Sequence, residues 1–537
     1  MPLMGSLYIG ASGLQTAQNA LNTTSHNLAN VGTEAYTRQQ VQLGTRTYNI
    51  ISRSGSAVAM QQYGLGVVYS ETKQVRDTFL DKTYRRESGR SAFYDVSYEA
   101  INETEDLLQE MDGERFAESM ENLWASIQEL AKDPSSATNQ GLLVQRSTEF
   151  MERAQAVYDG LSSYQDNLND TIKKDINTIN ELGERLVELN NQVLKIEPGG
   201  LENANDLRDQ RNKILDDLSK MAYISYYEDD MGNVCVKIEG TDFVTPGSVK
   251  KIGLDIDTST GFYTPYWEHL AARDADGNVT SIDGAHVFNT TQEISTSMNT
   301  DIGGVKATMI ARGDHRATAA DLDDSVNGEG YYDKNISNSV MMNVMAEFDQ
   351  LIKSVATEIN RVLKEAAEAA ETENPGCNYM KNTDGEIYQL FEIKTPDGGW
   401  TTGNILVNAQ LRQEPSLLSF IKADSTVDYE TAEKLKAVFT TEDYVLNPNV
   451  ATKTNLTDYY SSLVSQVANS GSVYKSISEN QQETVNATSE AREQILGVSS
   501  DEELEFMIQF QNAFNASSRY FNVVSEMLEH IINTLGT

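Results

Sequence analysis

The chain has 537 residues, 39% of them hydrophobic, with nine prolines and a net charge of −38 at neutral pH. Such a length exceeds what one core supports, so two to four domains are expected, and the composition excludes wholesale disorder. The acidic balance argues against nucleic-acid binding, and two cysteines (Cys235 and Cys377) are too few for a disulfide framework or a four-ligand zinc site.

In chain order, the first predicted element is a helix. Leu7, Gly10, Leu14, Ala17, Leu21, Thr24 and Leu28 recur at alternating steps of three and four, the stripe of a coiled-coil seam. Ser6 is read as its N-cap and Asn30 and Gly32 as its stop. An irregular stretch with some strand-like alternation runs to about residue 70. Residues 90–196 read as helical, broken at Asp133-Pro134 and resuming with Ile179, Leu182, Leu186, Leu189, Val193 and Ile196 until Pro198-Gly199-Gly200. A short helix covers about Asn205 to Met221, capped by Asn205 or Asp206. Residues 223–311 change character: Val234, Val236 and Ile238 alternate after Met231-Gly232-Asn233, and Asp276-Gly277 and Asp283-Gly284 read as hairpin turns. Helix returns over 336–372 on Val340, Val344, Phe348, Leu351, Val355, Ile359 and Leu363. A mixed segment with the turn Asp384-Gly385 occupies 375–425, and helices resume near 430 and from 455 onward. The last helix carries a second heptad: Met507, Phe510, Phe514, Ser517, Phe521, Val524, Leu528, Ile531 and Leu535.

The predicted fold is mainly α with a β-rich insertion. Residues 1–70 with 491–537 form a terminal coiled-coil core, 71–222 with 312–490 a helical body, and 223–311 an inserted outer domain. Neither terminal helix is expected to be stable alone. Burying four leucines contributes on the order of 8 kcal/mol, whereas ordering a helix costs roughly 1–2 kcal/mol per residue, and isolated helices are marginal in water. The two ends therefore need each other or other copies of the chain. Residues 1–70 hold one acid, Glu34, against Arg38, Arg46 and Arg53, a near-neutral surface suited to packing against like copies.

Little in the chain suggests catalysis. His26, His269, His286, His315 and His530 show no metal-ligand spacing. Asp274-x-Asp276-Gly277-Asn278 lacks the closing Glu of a calcium loop, and Gly64-x-Gly66 lacks the third glycine of a dinucleotide site. Arg312-Gly313-Asp314 is an adhesion-type triplet of a kind that chance supplies. The chain reads as non-enzymatic, with no cofactor or metal. No run of about 18 apolar residues predicts a membrane span. The opening Met1-Pro2-Leu3-Met4-Gly5-Ser6 lacks the regions of a cleavable signal, so export is expected to use another route.

Strings beside the two heptads carry a resemblance. Ala29-Asn30-Val31-Gly32-Thr33-Glu34-Ala35-Tyr36 resembles the Ala-Asn-x-x-Thr-x-Gly-Tyr signature of bacterial flagellar axial proteins, with Ala35 where Gly is commoner. Tyr36-Thr37-Arg38-Gln39, Gly64-x-Gly66-Val67, Asp77-x-Phe79-Leu80 and Asn205-Asp206-Leu207-Arg208-Asp209-Gln210-Arg211 are similar to elements of the hook-associated protein 1 (FlgK) family. Gln74, with Arg76 close by, stands where that family often has Arg. Gly497-Val498-Ser499 with Asp501-Glu502-Glu503 resembles the axial C-terminal signature, as does the pattern of Gln509, Phe510, Gln511, Ala513, Phe514 and Ala516.

The resemblance implies a structural, exported component of the flagellum, lying outside the cell at the hook–filament junction. Its implied partners are other copies in a helical layer, hook protein, hook-associated protein 3 and an export chaperone of the FlgN type. The self-assembly seam would comprise Leu7, Leu14, Leu21 and Leu28 with Met507, Phe510, Phe514, Phe521, Val524, Leu528, Ile531 and Leu535. Leu14, Leu21 and Leu28 would face Phe514, Phe521 and Leu528 or their counterparts. The chaperone would cover Phe510, Phe514, Phe521 and Leu528 first. Ala29, Asn30, Thr33, Tyr36 and Arg38 form the family motif. The alternatives are another axial protein, either hook protein or hook-associated protein 3, or a flagellar protein whose middle domain is an adhesin.

Overall fold

A computed structural model describes residues 3–47, 49–53, 60–109, 115–198, 202–382, 385–422 and 424–535. The expected turn residues Gly199, Gly200 and Asp384 lie outside the described residues, as does the side chain of Leu535.

The chain opens with α1 (Leu3–Ala29), then β1 (Gln39–Thr45), β2 (Asn49–Arg53), β3 (Met60–Tyr63) and β4 (Val67–Gln74). Three long helices follow: α2 (Thr78–Gln109), α3 (Phe116–Lys132) and α4 (Ala137–Ile196). After α5 (Asn205–Met221) come β5 (Ile224–Glu228), β6 (Val234–Ile238), β7 (Thr241–Thr245) and β8 (Ser248–Val249), an antiparallel four-stranded sheet in chain order. The hairpins β9 (Ile252–Ile256) with β10 (Tyr263–Trp267), and β11 (Ala272–Arg273) with β12 (Val279–Ser281), lead to α6 (Gly304–Arg312). Then come α7 (Asp324–Asn327), α8 (Tyr331–Asn335), α9 (Val340–Glu373), β13 (Phe391–Ile393), β14 (Ile405–Val407), α10 (Ala409–Gln413), α11 (Tyr429–Thr440), α12 (Leu456–Leu496) and α13 (Ser500–Leu535).

Two compact units result: residues 1–91, 178–251 and 481–537, and residues 92–177 with 252–480. These boundaries differ from the three-part division expected above. The β-rich stretch 223–311 does not stay together, because its two parts pack on different supports. In the first unit, Phe243 of β7 and Val249 of β8 lie against Gly183 of α4, where any larger side chain would overlap the Phe243 ring. Asn190 of α4 also holds both polar groups of the Val234 backbone. In the second unit, Asn169 of α4 receives the Tyr263 N–H at 2.8 Å.

The second unit has the larger core. Phe116, Phe150, Phe348 and Tyr460 cluster with ring centroids 4.7–5.4 Å from Phe116. The predicted stripe of α9 is buried from Val344 through Leu363. Asp349, 1% exposed, ties two loops to α9 by accepting from the Ala319 N–H at 2.9 Å and the Thr402 N–H at 2.6 Å. Arg312 of the adhesion-type triplet is buried. It donates to Asn169 at 2.6 Å and to the Tyr263 carbonyl at 2.9 Å, and lies over the Phe262 ring. Desolvation pushes its guanidinium pKa down to about 10. Gly313 closes α6 at φ +78°, so the triplet is a helix stop with its arginine inside the fold. Asp274 accepts from the Asp276 and Asn278 N–H groups, which makes that string the β11–β12 hairpin turn.

Three local expectations change. α1 begins at Leu3, so Ser6 sits within the helix and does not cap it. The N-cap of α5 is Ala204; Asn205, inside the helix, donates to the Thr72 carbonyl. α2 starts at Thr78, some twelve residues before the expected helical region, because the Asp77 carboxylate accepts the free N–H groups of Phe79 and Leu80.

Candidate functional site

Everything in this site belongs to the first unit. α1 and α13 pair along their lengths, and their contacts fix the direction: Gly10 lies beside Phe521, Gly13 beside Ser517, and Asn27 beside Glu503. Numbers fall on one helix as they rise on the other, so the helices are antiparallel. This corrects the expected facing. Leu28 comes level with Glu503, and Leu528 lies near the start of α1. The close approach depends on small residues. A Cβ at Gly10 would stand 3.2 Å from the Tyr520 ring, and one at Gly13 2.7 Å from the Ser517 hydroxyl.

The predicted seam residues lie as follows. Leu7, Leu14, Leu21 and Leu28 are half-buried, as are Met507, Phe510, Phe514, Phe521 and Leu528. Val524 is buried at 4% exposure, and Ile531 is exposed at 37%. Beside this stripe, Met4 and Tyr8 on α1 and Ile508, Tyr520, Val523, Met527 and Ile532 on α13 are exposed, Ile508 at 61% and Ile532 at 67%. Two helices leave their outer apolar residues uncovered. Of the predicted stripe, Gly10, Ala17 and Thr24 are buried, but hydrophobic spacing missed the rest of the most buried face of α1, which carries Ser12, Thr16, Ala20 and Asn27. Small and polar, this face packs toward the β1–β4 ribbon, where the Ser12 hydroxyl accepts the Val67 N–H. Gly66, at φ +88° and against Ser12 and Ile9, allows that approach because a side chain there would overlap the Ser12 hydroxyl.

The family motif forms the link after α1. Asn30 ends the helix: its N–H bonds back to the His26 and Asn27 carbonyls, and Thr33 donates to its side chain. Ala29 ends α1 as an exposed residue, and Ala35 takes φ +62°, a left-handed turn that Gly adopts more cheaply; exposed, it crowds nothing. The Tyr36 hydroxyl donates to the Asn27 side chain at 2.8 Å, and its ring meets His26 edge-on. Burial, with Asp206, Asp209 and Glu503 nearby, holds its pKa well above the usual phenol range. Arg38 ties the motif to the other end of the chain. It pairs with Glu503 at 2.8 Å and Glu502 at 3.2 Å, and its guanidinium lies 5.5 Å from the Phe506 ring centroid. The Arg38 N–H donates to the carbonyl of Leu496, left free where α12 ends. Gly497 allows that ending, since a Cβ there would stand 2.5 Å from the Glu493 carbonyl. Asp501, Glu502 and Glu503 begin α13, where the helix dipole favours acids.

Next to it runs a buried ladder of alternating charge: Asp209, Arg76, Asp81, Arg492, Asp216, Arg85. Arg76 lies 3.6 Å from Asp209 and 2.9 Å from Asp81. Arg492 lies 2.8 Å from both Asp81 and Asp216, and Arg85 is 2.6 Å from Asp216. Asp209 also accepts from the Thr37 N–H and hydroxyl and from Gln74. Strings distant in sequence, Thr37, Gln74 to Asp81 and Asp209, thus converge on one network, and only the nearness of each to a family string hinted at it. Burial works against the charge of Asp81, yet Arg76, Arg492 and Arg85 hold its pKa below the usual carboxylate range.

Asp209 behaves oppositely: burial pushes its pKa up to about 6, against the Thr37 hydrogen bonds and Arg76. A carboxyl with a raised folded pKa costs stability when ionised. The cost is full above pH 6 and is relieved as pH falls toward the unfolded value near 3.8. Asp209→Asn is therefore expected to flatten the pH dependence of unfolding between pH 7 and 4.5, with the variant–wild-type difference changing by about 2 kcal/mol. Parallel curves from denaturant titrations across that range would contradict it.

Comparison with known proteins places this arrangement. A family model described as the flagellar hook-associated protein FlgK helical domain matches residues 101–378, just over half of the chain, and one for the flagella basal body rod protein matches residues 7–37. Flagellar hook-associated protein 1 of Bacillus subtilis (strain 168) is 26% identical over 535 residues, covering 98% of both chains. Its counterpart from Escherichia coli (strain K12) is 22% identical over 576 residues, covering 99% of this chain and 100% of its own. The flagellar hook junction protein FlgK from Burkholderia pseudomallei shares the fold, with a TM-score of 0.52 at 11% identity over 78% of this chain and 100% of its own. The chain belongs to the flagellar hook-associated protein FlgK family and is a structural component of the bacterial flagellum, not an enzyme.

Proposed function

We propose that the chain forms a short helical layer at the junction of hook and filament, built by packing the α1–α13 pairs of neighbouring copies. The observation that carries this is the uncovered apolar surface of that pair, from Tyr8 and Ile508 to Met527 and Ile532. So many large apolar side chains left exposed on one helix pair point to an interaction surface. The seam, half-buried from Leu7 to Leu28 and from Met507 to Leu528 apart from buried Val524, would be completed by the equivalent helices of adjacent copies, with Ile531 and Leu535 among them. Hook protein would lie on one side of the layer and hook-associated protein 3 on the other. Before assembly, an export chaperone of the FlgN type would cover Phe510, Phe514, Phe521 and Leu528. The subunit would leave the cell through the flagellar type III route and function outside it. Among the described residues, no helix is long and apolar enough to cross a membrane.

Purified chain added to isolated hooks should cap their distal ends in electron micrographs, and chain lacking residues 500–537 should leave them bare. Bare hooks with the full chain, or capping by the truncated one, would overturn the reading.

A further inference from the structure

We infer that an arginine-rich cleft of the first unit, between β4, the start of α2, α5 and the β5–β6 hairpin, docks a carboxylate-bearing segment of a second copy of the chain. The inference rests on the self-assembly proposed above and adds a contact away from the terminal helices.

The cleft holds about 570 Å³, and its walls carry six cationic side chains against two carboxylates, Asp81 and Glu228. Most of the cations are satisfied: Arg76 and Arg85 belong to the ladder, Lys73 pairs with Glu71, and Arg208 pairs with Glu197. Two are not. Arg211 has a side chain only 3% exposed, yet its nearest carboxylate oxygen, on Glu228, is 3.7 Å away and already shared with Arg208 at 3.0 Å. One Arg211 Nη donates to Asn190 and the Gly232 carbonyl, while its Nε finds no acceptor. A buried guanidinium left partly unsatisfied is costly, and a carboxylate is the group whose geometry matches it. Lys82 stands at the same cleft, exposed and without a carboxylate partner among the described residues, 6.0 Å from the centre of the Tyr226 ring. Arg85 lies over the same ring at 4.6 Å. An incoming acid would thus meet unneutralised Lys82 and an Arg211 that Glu228 neutralises only in part, beside an aromatic wall.

Charge complementarity points to a second copy as its source. The chain has 80 acidic against 42 basic residues, so in a layer of identical subunits every neighbour offers carboxylates. The attraction should weaken with salt, as exposed charge pairs do.

The test uses the full-length chain in assembled flagella, with the photo-crosslinker p-benzoylphenylalanine replacing exposed Tyr227 at the cleft rim. The expected product is a copy-to-copy adduct whose partner peptide is rich in Asp or Glu. Lys82→Glu should lower its yield about tenfold, and Lys82→Arg should preserve it. The same crosslinker at Ile508 on α13 separates this inference from the broader reading. Copy-to-copy adducts at Ile508 with none at Tyr227 would overturn the cleft assignment and leave the helical layer standing. Adducts at neither position would overturn both. An adduct of Tyr227 with a different axial protein, or one indifferent to Lys82→Glu, would also overturn the assignment.

Discussion

Cells whose chain carries Phe521→Asp should build hooks without filaments and fail to swim. Phe521 sits half-buried where α13 passes close to α1, its Cβ 3.3 Å from the place a Gly10 Cβ would occupy. Losing the half-buried ring forfeits about half of what full burial contributes, on the order of 1 kcal/mol, and a carboxylate in its place must be desolvated or must push the helices apart. The pair has little to spare, since neither helix is stable alone. In a layer of identical subunits, the defect repeats in every copy. Asn522→Asp, which adds the same charge on the exposed side of the same helix, is the control and should leave filaments normal. Filament counts by electron microscopy, together with swimming, decide the matter. Normal filaments on Phe521→Asp cells would mean that this stripe bears no part in assembly.

Asp81→Ala is expected to be the most damaging single change within the first unit. Asp81 is 4% exposed and lies between Arg76 at 2.9 Å and Arg492 at 2.8 Å. Removing it leaves two largely buried guanidinium groups sharing too few carboxylates. Breaking a buried pair in this way costs about 3–5 kcal/mol, more than the pair itself contributes. Because α2, α5 and α12 meet at the ladder, the loss should spread along them. Hydrogen exchange should accelerate over residues 78–91, 205–216 and 485–496 while residues 340–363 of the other unit keep their protection. Unchanged exchange at the ladder would show that water replaces the carboxylate without cost. The sign of the pH effect is fixed as well. The Asp81 pKa is held below its ordinary value, so its contribution is present above pH 3.8 and is lost as pH falls through its folded pKa.

Much of the architecture follows from spacing alone. The heptads at Leu7 to Leu28 and Met507 to Ile531 form helices, and the stripes of α4 and α9 are buried as their periodicity requires, except that Leu182 and Val340 are half-buried and Ile196 is 45% exposed at the end of α4. The helix break at Asp133-Pro134 is equally legible, because proline lacks a donor, whereas the break at Gly497 falls within what reads as one helix from 455 onward. Helix starts are harder to read. The expected caps at Ser6 and Asn205 fall inside their helices, since capping chemistry is local and many polar residues satisfy it.

By itself, then, the sequence determined that both ends are helices with one apolar stripe, that the chain lacks the spacing of an active site, and that its terminal strings are those of flagellar axial proteins. Periodicity and local strings are properties of neighbouring residues, so they survive without a fold. Tertiary structure alone decided three things: that α1 and α13 run antiparallel, that the β-rich middle divides between two units, and that Thr37, Arg76, Asp81, Asp209 and Arg492 meet in one buried ladder. The physical reason is common to all three. A stripe is symmetric to the direction of its partner, a strand carries no mark of the helix it will cover, and a charge shows its pairing only when distant segments have been brought within about 4 Å.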